Sequence, residues 1–194
     1  MNRTAANQVR SPSRRADAER NRDKILAAAR AAFADPEAEV SMAEVSRRAG
    51  VGMATLYRNF PGRRELLEAL YADEVEAVCR AAETAAGETP GAVFVAWLYR
   101  FLAFFTSKHP VGELLQSYGS NPMFSESRDR VLAVGRPLLV AAQRTREVRD
   151  DLTLEQVLDM VIAVASIHGD PGYLEPILRA MLDGLRPPAE AKPA

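Results

Sequence analysis

Between Ser41 and Leu66 the chain gathers side chains suited to meeting a polyanion: Gly52, Met53, Ala54, Thr55, Arg58 and Asn59 all fall within residues 52–59. Small residues let a backbone approach another molecule closely, while Thr, Arg and Asn carry hydrogen-bonding groups at their tips. A helix built only for a core would not present this set over so short a stretch. Two short helices joined at a glycine and braced by a helix on either side make the helix-turn-helix shape, which lays its second helix in the DNA major groove. The other use of that shape is an ordinary hairpin in a helical bundle. Charge favours the nucleic-acid reading. Residues 1–64 hold 13 Lys and Arg against 7 Asp and Glu, a balance of +6, and residues 65–194 hold 12 against 19, a balance of -7. The net charge of -1 thus conceals a basic end where a polyanion would bind, the alternative being a merely solvated charged surface.

Other chemistries find no support in the residue pattern. The single cysteine, Cys79, reads as a small apolar core residue, and with only His109 and His168 beside it no structural zinc or other metal site is expected. No nucleophile with a base, no phosphate loop and no paired metal-ligand motif occurs, so the chain is expected to be neither an enzyme nor a cofactor carrier. The longest apolar stretch, Ala92 to Phe105, has 14 residues and contains Arg100, too short and too charged to span a bilayer. Arg3, Arg10, Arg14 and Arg15 are followed by no apolar segment of the secretory kind, so a cytoplasmic location is expected.

The elements that must hold residues 41–66 read as helices. Residues 1–16 lack periodicity and are expected to form a flexible basic arm. From there Ile25, Leu26, Ala29, Ala32 and Phe33 make one apolar stripe on a charged helix from about Ala16 to Ala34, ended by Asp35-Pro36. Ser41 is a good N-cap, with Glu44 at capping-box spacing ahead of Val45 and Ala49. Gly50 stands where the chain reverses, and a third short helix follows from about Gly52 to Asn59, with Leu56 inward and Met53, Thr55 and Arg58 outward. Pro61-Gly62 precedes a long fourth helix with Leu66, Leu67, Leu70, Tyr71, Val75 and Val78 on its inner side. Beyond Gly87 no alternating strand pattern occurs. Helices are expected at about 91–108, 110–118, 122–147, 153–168 and 172–184, separated by His109-Pro110, Asn121-Pro122 and Asp170-Pro171-Gly172. The fold class is all-α. The domain division is an arm (1–16), a helix-turn-helix domain (17–64) whose linking helix continues to about residue 86, a larger helical domain (87–186) and a disordered tail (187–194).

The run from Ser41 to Leu66, SMAEVSRRAGVGMATLYRNFPGRREL, resembles the TetR family of bacterial transcriptional regulators, and with the first helix the likeness covers about residues 17–80. The segment Glu147-Val148-Arg149-Asp150-Asp151 also looks like that family's entry to its penultimate helix. The resemblance implies that Met53, Ala54, Thr55 and Arg58 face base edges. Arg58 is the main candidate for direct readout, since a guanidinium donates two hydrogen bonds to guanine O6 and N7, a phosphate contact being the alternative. Tyr57, Asn59 and Arg63 fall at the family's phosphate-contacting positions, and Ser41 caps a helix whose first amides can face a phosphate. The sequence departs from the pattern at Ala54, where glycine is frequent, and at Arg64, where an acidic residue is usual; Arg64 is expected to strengthen phosphate binding.

For the larger domain the resemblance implies a mostly apolar effector cavity, expected to be lined by some of Trp97, Phe101, Phe105, Leu115, Met123, Met160 and His168. For each residue taken singly, packing in a core is the competing role, and a helix C-terminus also suits histidine at 168. Dimerisation is expected through apolar faces carrying Leu154, Val157, Val161 and Val164 together with Ile177, Leu178, Met181 and Leu182. The expected function is a homodimeric repressor bound to a palindromic double-stranded DNA operator and released by a small apolar effector. The alternative is a constitutive DNA binder or an activator without an effector.

Overall fold

A computed structural model describes residues 12–33, 40–119 and 122–187. Within them lie eight helices and no strand: α1 (Pro12–Phe33), α2 (Met42–Ala49), α3 (Met53–Asn59), α4 (Arg63–Thr84), α5 (Pro90–Gln116), α6 (Pro122–Arg144), α7 (Leu154–Ala165) and α8 (Pro171–Asp183). The all-α class expected from the sequence is the class observed. The chain divides into two compact units, the first ending at Leu70 and the second beginning at Tyr71, both inside α4.

The first unit is built on the predicted stripe. Ile25, Leu26, Ala29, Ala32 and Phe33 of α1 are buried together with Val45, Leu56, Phe60, Leu66, Leu67 and Leu70. Ser41 caps α2 by accepting the Glu44 amide at 3.2 Å, but the Glu44 carboxylate turns to arginines instead of closing the capping box. Gly50 takes φ +64°, ψ 32°, the left-handed conformation that a β-carbon disfavours, and ends α2 with its N–H on Arg47 O. The buried Ser46 hydroxyl donates to Val51 O at 2.6 Å, so the turn between α2 and α3 is held from inside.

In the second unit, α4, α5, α6 and α7 enclose a core centred on Phe94, Trp97, Leu98 and Phe101. Trp97 is completely buried and its indole N–H donates to Val78 O at 3.2 Å, which satisfies the one polar atom of that ring. Gly135 of α6 lies under the indole, where a β-carbon would sit 2.2 Å from Cη2. The connection from α6 to α7 is tied by Gln143, whose amide donates to Arg149 O and Leu152 O at 3.0 Å each. Val148 in this connection is buried, and the Arg149 amide donates to Leu185 O at 2.8 Å. α7 opens with a complete capping box between Thr153 and Gln156.

Several expected boundaries move. α1 begins at Pro12, so the last residues assigned to the basic arm are helical; proline needs no amide hydrogen bond in a first helical turn. The helices expected at 91–108 and 110–118 are one helix that runs through Pro110. An interior proline costs about 3 kcal/mol. Val111 and Leu115, each 1% exposed, lie just beyond it, and burying each is worth about 1.5–3 kcal/mol, which offsets the break. Residues 1–11 of the arm, Asp35-Pro36 and tail residues 188–194 lie outside the described residues. Three residues expected on a dimer face are buried within the chain itself. Leu154, Val157 and Val161 belong to the chain's own core at 2% exposure or less, because a period-3.6 stripe cannot distinguish an internal partner from an external one.

Candidate nucleic-acid interface and ligand cavity

α3 has two sides. Leu56 is completely buried, while Met53, Ala54, Tyr57 and Arg58 are exposed and Thr55 and Asn59 half-buried. Arg58 is folded back on its own helix: Nε donates to Ala54 O at 3.1 Å and Nη2 to Thr55 Oγ1 at 2.9 Å. Asn59 likewise donates to Thr55 O at 2.8 Å. Thr55 thereby steadies the guanidinium expected at base edges, while the remaining Arg58 N–H groups make no hydrogen bond among the described residues. Of the residues assigned to phosphates, Ser41 and Tyr57 are exposed, and Arg63 lies over the Phe33 ring at 5.5 Å. Arg64 is paired with Glu68 at 2.9 Å within α4, so its charge is not the unshared addition that the sequence suggested.

Two further cations on this unit escaped the sequence reading. Arg47 and Arg48 of α2, both exposed, converge on Glu44 at 2.7 and 2.6 Å. Hydrogen bonds from Arg47 and then Arg48 hold the Glu44 carboxyl down at about 2, so it is ionised at neutral pH. An i, i+3 and i+4 spacing behind an acid was the available signal.

The second unit contains an aromatic cavity of about 200 Å³. Tyr71 of α4, Phe101, Phe104 and Phe105 of α5 and Phe124 of α6 make its aromatic wall. Tyr71 meets Phe104 and Phe124 edge-on at centroid distances of 5.7 and 5.2 Å, and Phe104 meets Phe105 at 5.1 Å. Val75, Val131, Leu158 and Ile162 add aliphatic surface, and Ser127 and Arg128 supply polar groups. Burial pushes the Tyr71 phenol above its ordinary pKa, keeping it a neutral donor. A larger open groove of about 690 Å³ touches Tyr99, Arg146, Glu147 and Arg179 and carries charges of both signs.

Two family models match the chain. Residues 25–70 match the bacterial regulatory proteins of the tetR family, and residues 89–187 match the C-terminal domain of SbtR-like transcriptional regulators. The crystal structure of the TetR transcriptional regulator SCO0520 from Streptomyces coelicolor is 33% identical, covering 87% of this chain and 99% of that one, with a TM-score of 0.72. The chain belongs to the TetR family. A TetR regulator from Mycobacterium vanbaalenii is similar at 31% identity over 89% of this chain and 98% of its own, with a TM-score of 0.73. No curated protein matches. This TetR-family chain is accordingly a DNA-binding transcriptional regulator with a helix-turn-helix, as the run from Ser41 to Leu66 implies.

Within this TetR-family fold the cavity draws on different residues from those the sequence suggested. Phe101 and Phe105 line it. Trp97 lies one ring behind, 6.1 Å from Phe101, and Leu115 is buried at 1% exposure without reaching the cavity. Met123 and Met160 are half-buried outside its lining, and His168 is exposed after the end of α7. Tyr71, Phe104, Phe124 and Arg128 were missed. A stripe of aromatics shows that a face is buried but not which of its members border empty space. Among the described residues no group of three or more His, Cys, Asp or Glu is placed to hold a metal ion, and no helix is long and apolar enough to cross a membrane.

Proposed function

We propose that this regulator binds a two-fold symmetric operator as a homodimer, represses transcription there, and is released by a small, mostly apolar compound held in the aromatic cavity. The observation that carries the reading is α3, a short helix anchored by Leu56 that turns Met53, Tyr57 and Arg58 to solvent. Dimerisation falls to the surface left outside the core: Tyr173 is 60% exposed on α8, with Ile177 and Leu178 half-buried, and Val164 of α7 is half-buried. Control falls to α4, which begins with Arg63 and Arg64 and farther along lends Tyr71 and Val75 to the cavity. A ligand that displaces α4 changes the spacing of the two reading heads, which must match a helical turn of DNA. A coupling of about 1–3 kcal/mol is enough to separate bound from released operator.

The test is titration of the protein with DNA flanking its gene, by fluorescence anisotropy at several salt concentrations. If each subunit neutralises roughly three phosphates, the log-log salt slope is about -5. A slope near zero, or a monomeric mass by light scattering at micromolar concentration, overturns the reading.

A further inference from the structure

The cavity's size and the sign of its one charge define its ligand more narrowly. A cavity of about 150 Å³ walled by aliphatic and aromatic groups is enough to hold benzene. At about 200 Å³, this one has room for a single ring and one small substituent. Aromatic partners for such a ring border the cavity, where Tyr71 meets Phe104 at 5.7 Å and Phe124 at 5.2 Å, both edge-on. Among the described residues that line the cavity, Arg128 alone carries a charge, and no carboxylate belongs to the lining. Its neighbours in the wall, the buried Ser127 hydroxyl and the Tyr71 phenol, are neutral polar groups.

Arg128 is weakly engaged. Among the described residues its ion pair is with Asp159 of α7 at 3.7 Å, and the two side chains are 53% and 62% exposed. An exposed pair at that separation contributes little, so a better-placed anion can take the guanidinium. A ligand carboxylate can offer it two parallel hydrogen bonds, a closer engagement than the 3.7 Å contact with Asp159.

Resting on the reading that this cavity is the effector site, we propose that it selects a single-ring acid, its ring among Tyr71, Phe104 and Phe124 and its carboxylate on Arg128 in place of Asp159. Binding then exchanges an α6 to α7 link for a link from α6 to the ligand. This makes the anion part of the signal and not only of the affinity.

The probes are benzoate and its neutral counterpart benzyl alcohol, titrated into the full chain by calorimetry, with Trp97 emission as a second readout. Benzoate is expected to bind about tenfold tighter than benzyl alcohol, and Arg128→Gln to remove that advantage, so that the two probes bind alike. Asp159→Asn, which frees Arg128, is expected to tighten benzoate about twofold to threefold. Both variants replace exposed side chains, so the fold is retained, and far-UV circular dichroism verifies it. Benzyl alcohol binding as well as benzoate, or benzoate indifferent to Arg128→Gln, overturns the acid selectivity and leaves the cavity as an apolar effector site. Binding of neither probe overturns both readings. Benzoate unaffected or weakened by Asp159→Asn overturns the exchange of partners.

Discussion

The two units of this chain solve the problem of making a site in opposite ways. In the first, the residues proposed to meet DNA lie in one run, Ser41 to Arg64, held mostly by near neighbours: Ser41 accepts from Glu44, Ser46 ties the turn to Val51, and Arg58 folds onto Ala54 and Thr55. In the second, the cavity takes Tyr71, Phe105, Phe124 and Leu158 from four helices spread over almost ninety positions. A site of local construction survives drift elsewhere in the chain and leaves a signature in sequence. A site assembled at long range depends on packing, and substitutions in the walls change what it holds without disturbing the helices.

Substitutions that strike one unit and spare the other sharpen this contrast. The largest expected effect belongs to the long-range core. Phe94→Ala removes a completely buried ring and is expected to lower stability by about 3–5 kcal/mol, read from urea unfolding followed by Trp97 emission. Gly135→Ala places a β-carbon against the rigid indole at 2.2 Å, with an expected cost of about 1–3 kcal/mol and a shifted Trp97 spectrum in the native state. An unchanged spectrum would mean that α6 withdraws as a whole.

In the first unit Arg58→Ala is expected to weaken operator binding by about 1–3 kcal/mol and to relax preference at one base pair per half-site. Equal weakening on all sequences makes Arg58 a phosphate contact. Gly50→Ala meets no neighbouring atom within 4 Å, so its expected cost of about 1–2 kcal/mol is that of the left-handed backbone alone. Differential scanning calorimetry of the two forms measures it.

The smallest expected effect is electrostatic. Glu44→Gln leaves Arg47 and Arg48 without their shared carboxylate and is expected to steepen the salt dependence of DNA binding, while the unaltered protein keeps the pair at neutral pH. The folded-state pKa of Glu44 lies below its ordinary 4.5, so its contribution to stability is whole above that pH and is lost as pH falls towards 2. A variant insensitive in that window, compared with the parent by acid titration of circular dichroism, confirms the source.

What the sequence determined by itself was local. The stripe on α1, the Ser41 cap, the Gly50 turn and the outward face of α3 were legible because each depends on residues within one or two turns, where helix geometry and φ/ψ preferences act directly. Tertiary structure decided everything that depends on which side of an apolar stripe finds a partner. It carried α5 through Pro110 because Val111 and Leu115 are buried, and it gave Leu154, Val157 and Val161 to the chain's own core. It also set Trp97 behind the cavity wall while bringing Tyr71, Phe124 and Arg128 to it. Periodicity shows that a face will be covered; only the packing of distant helices, each excluding water from the next, settles by what.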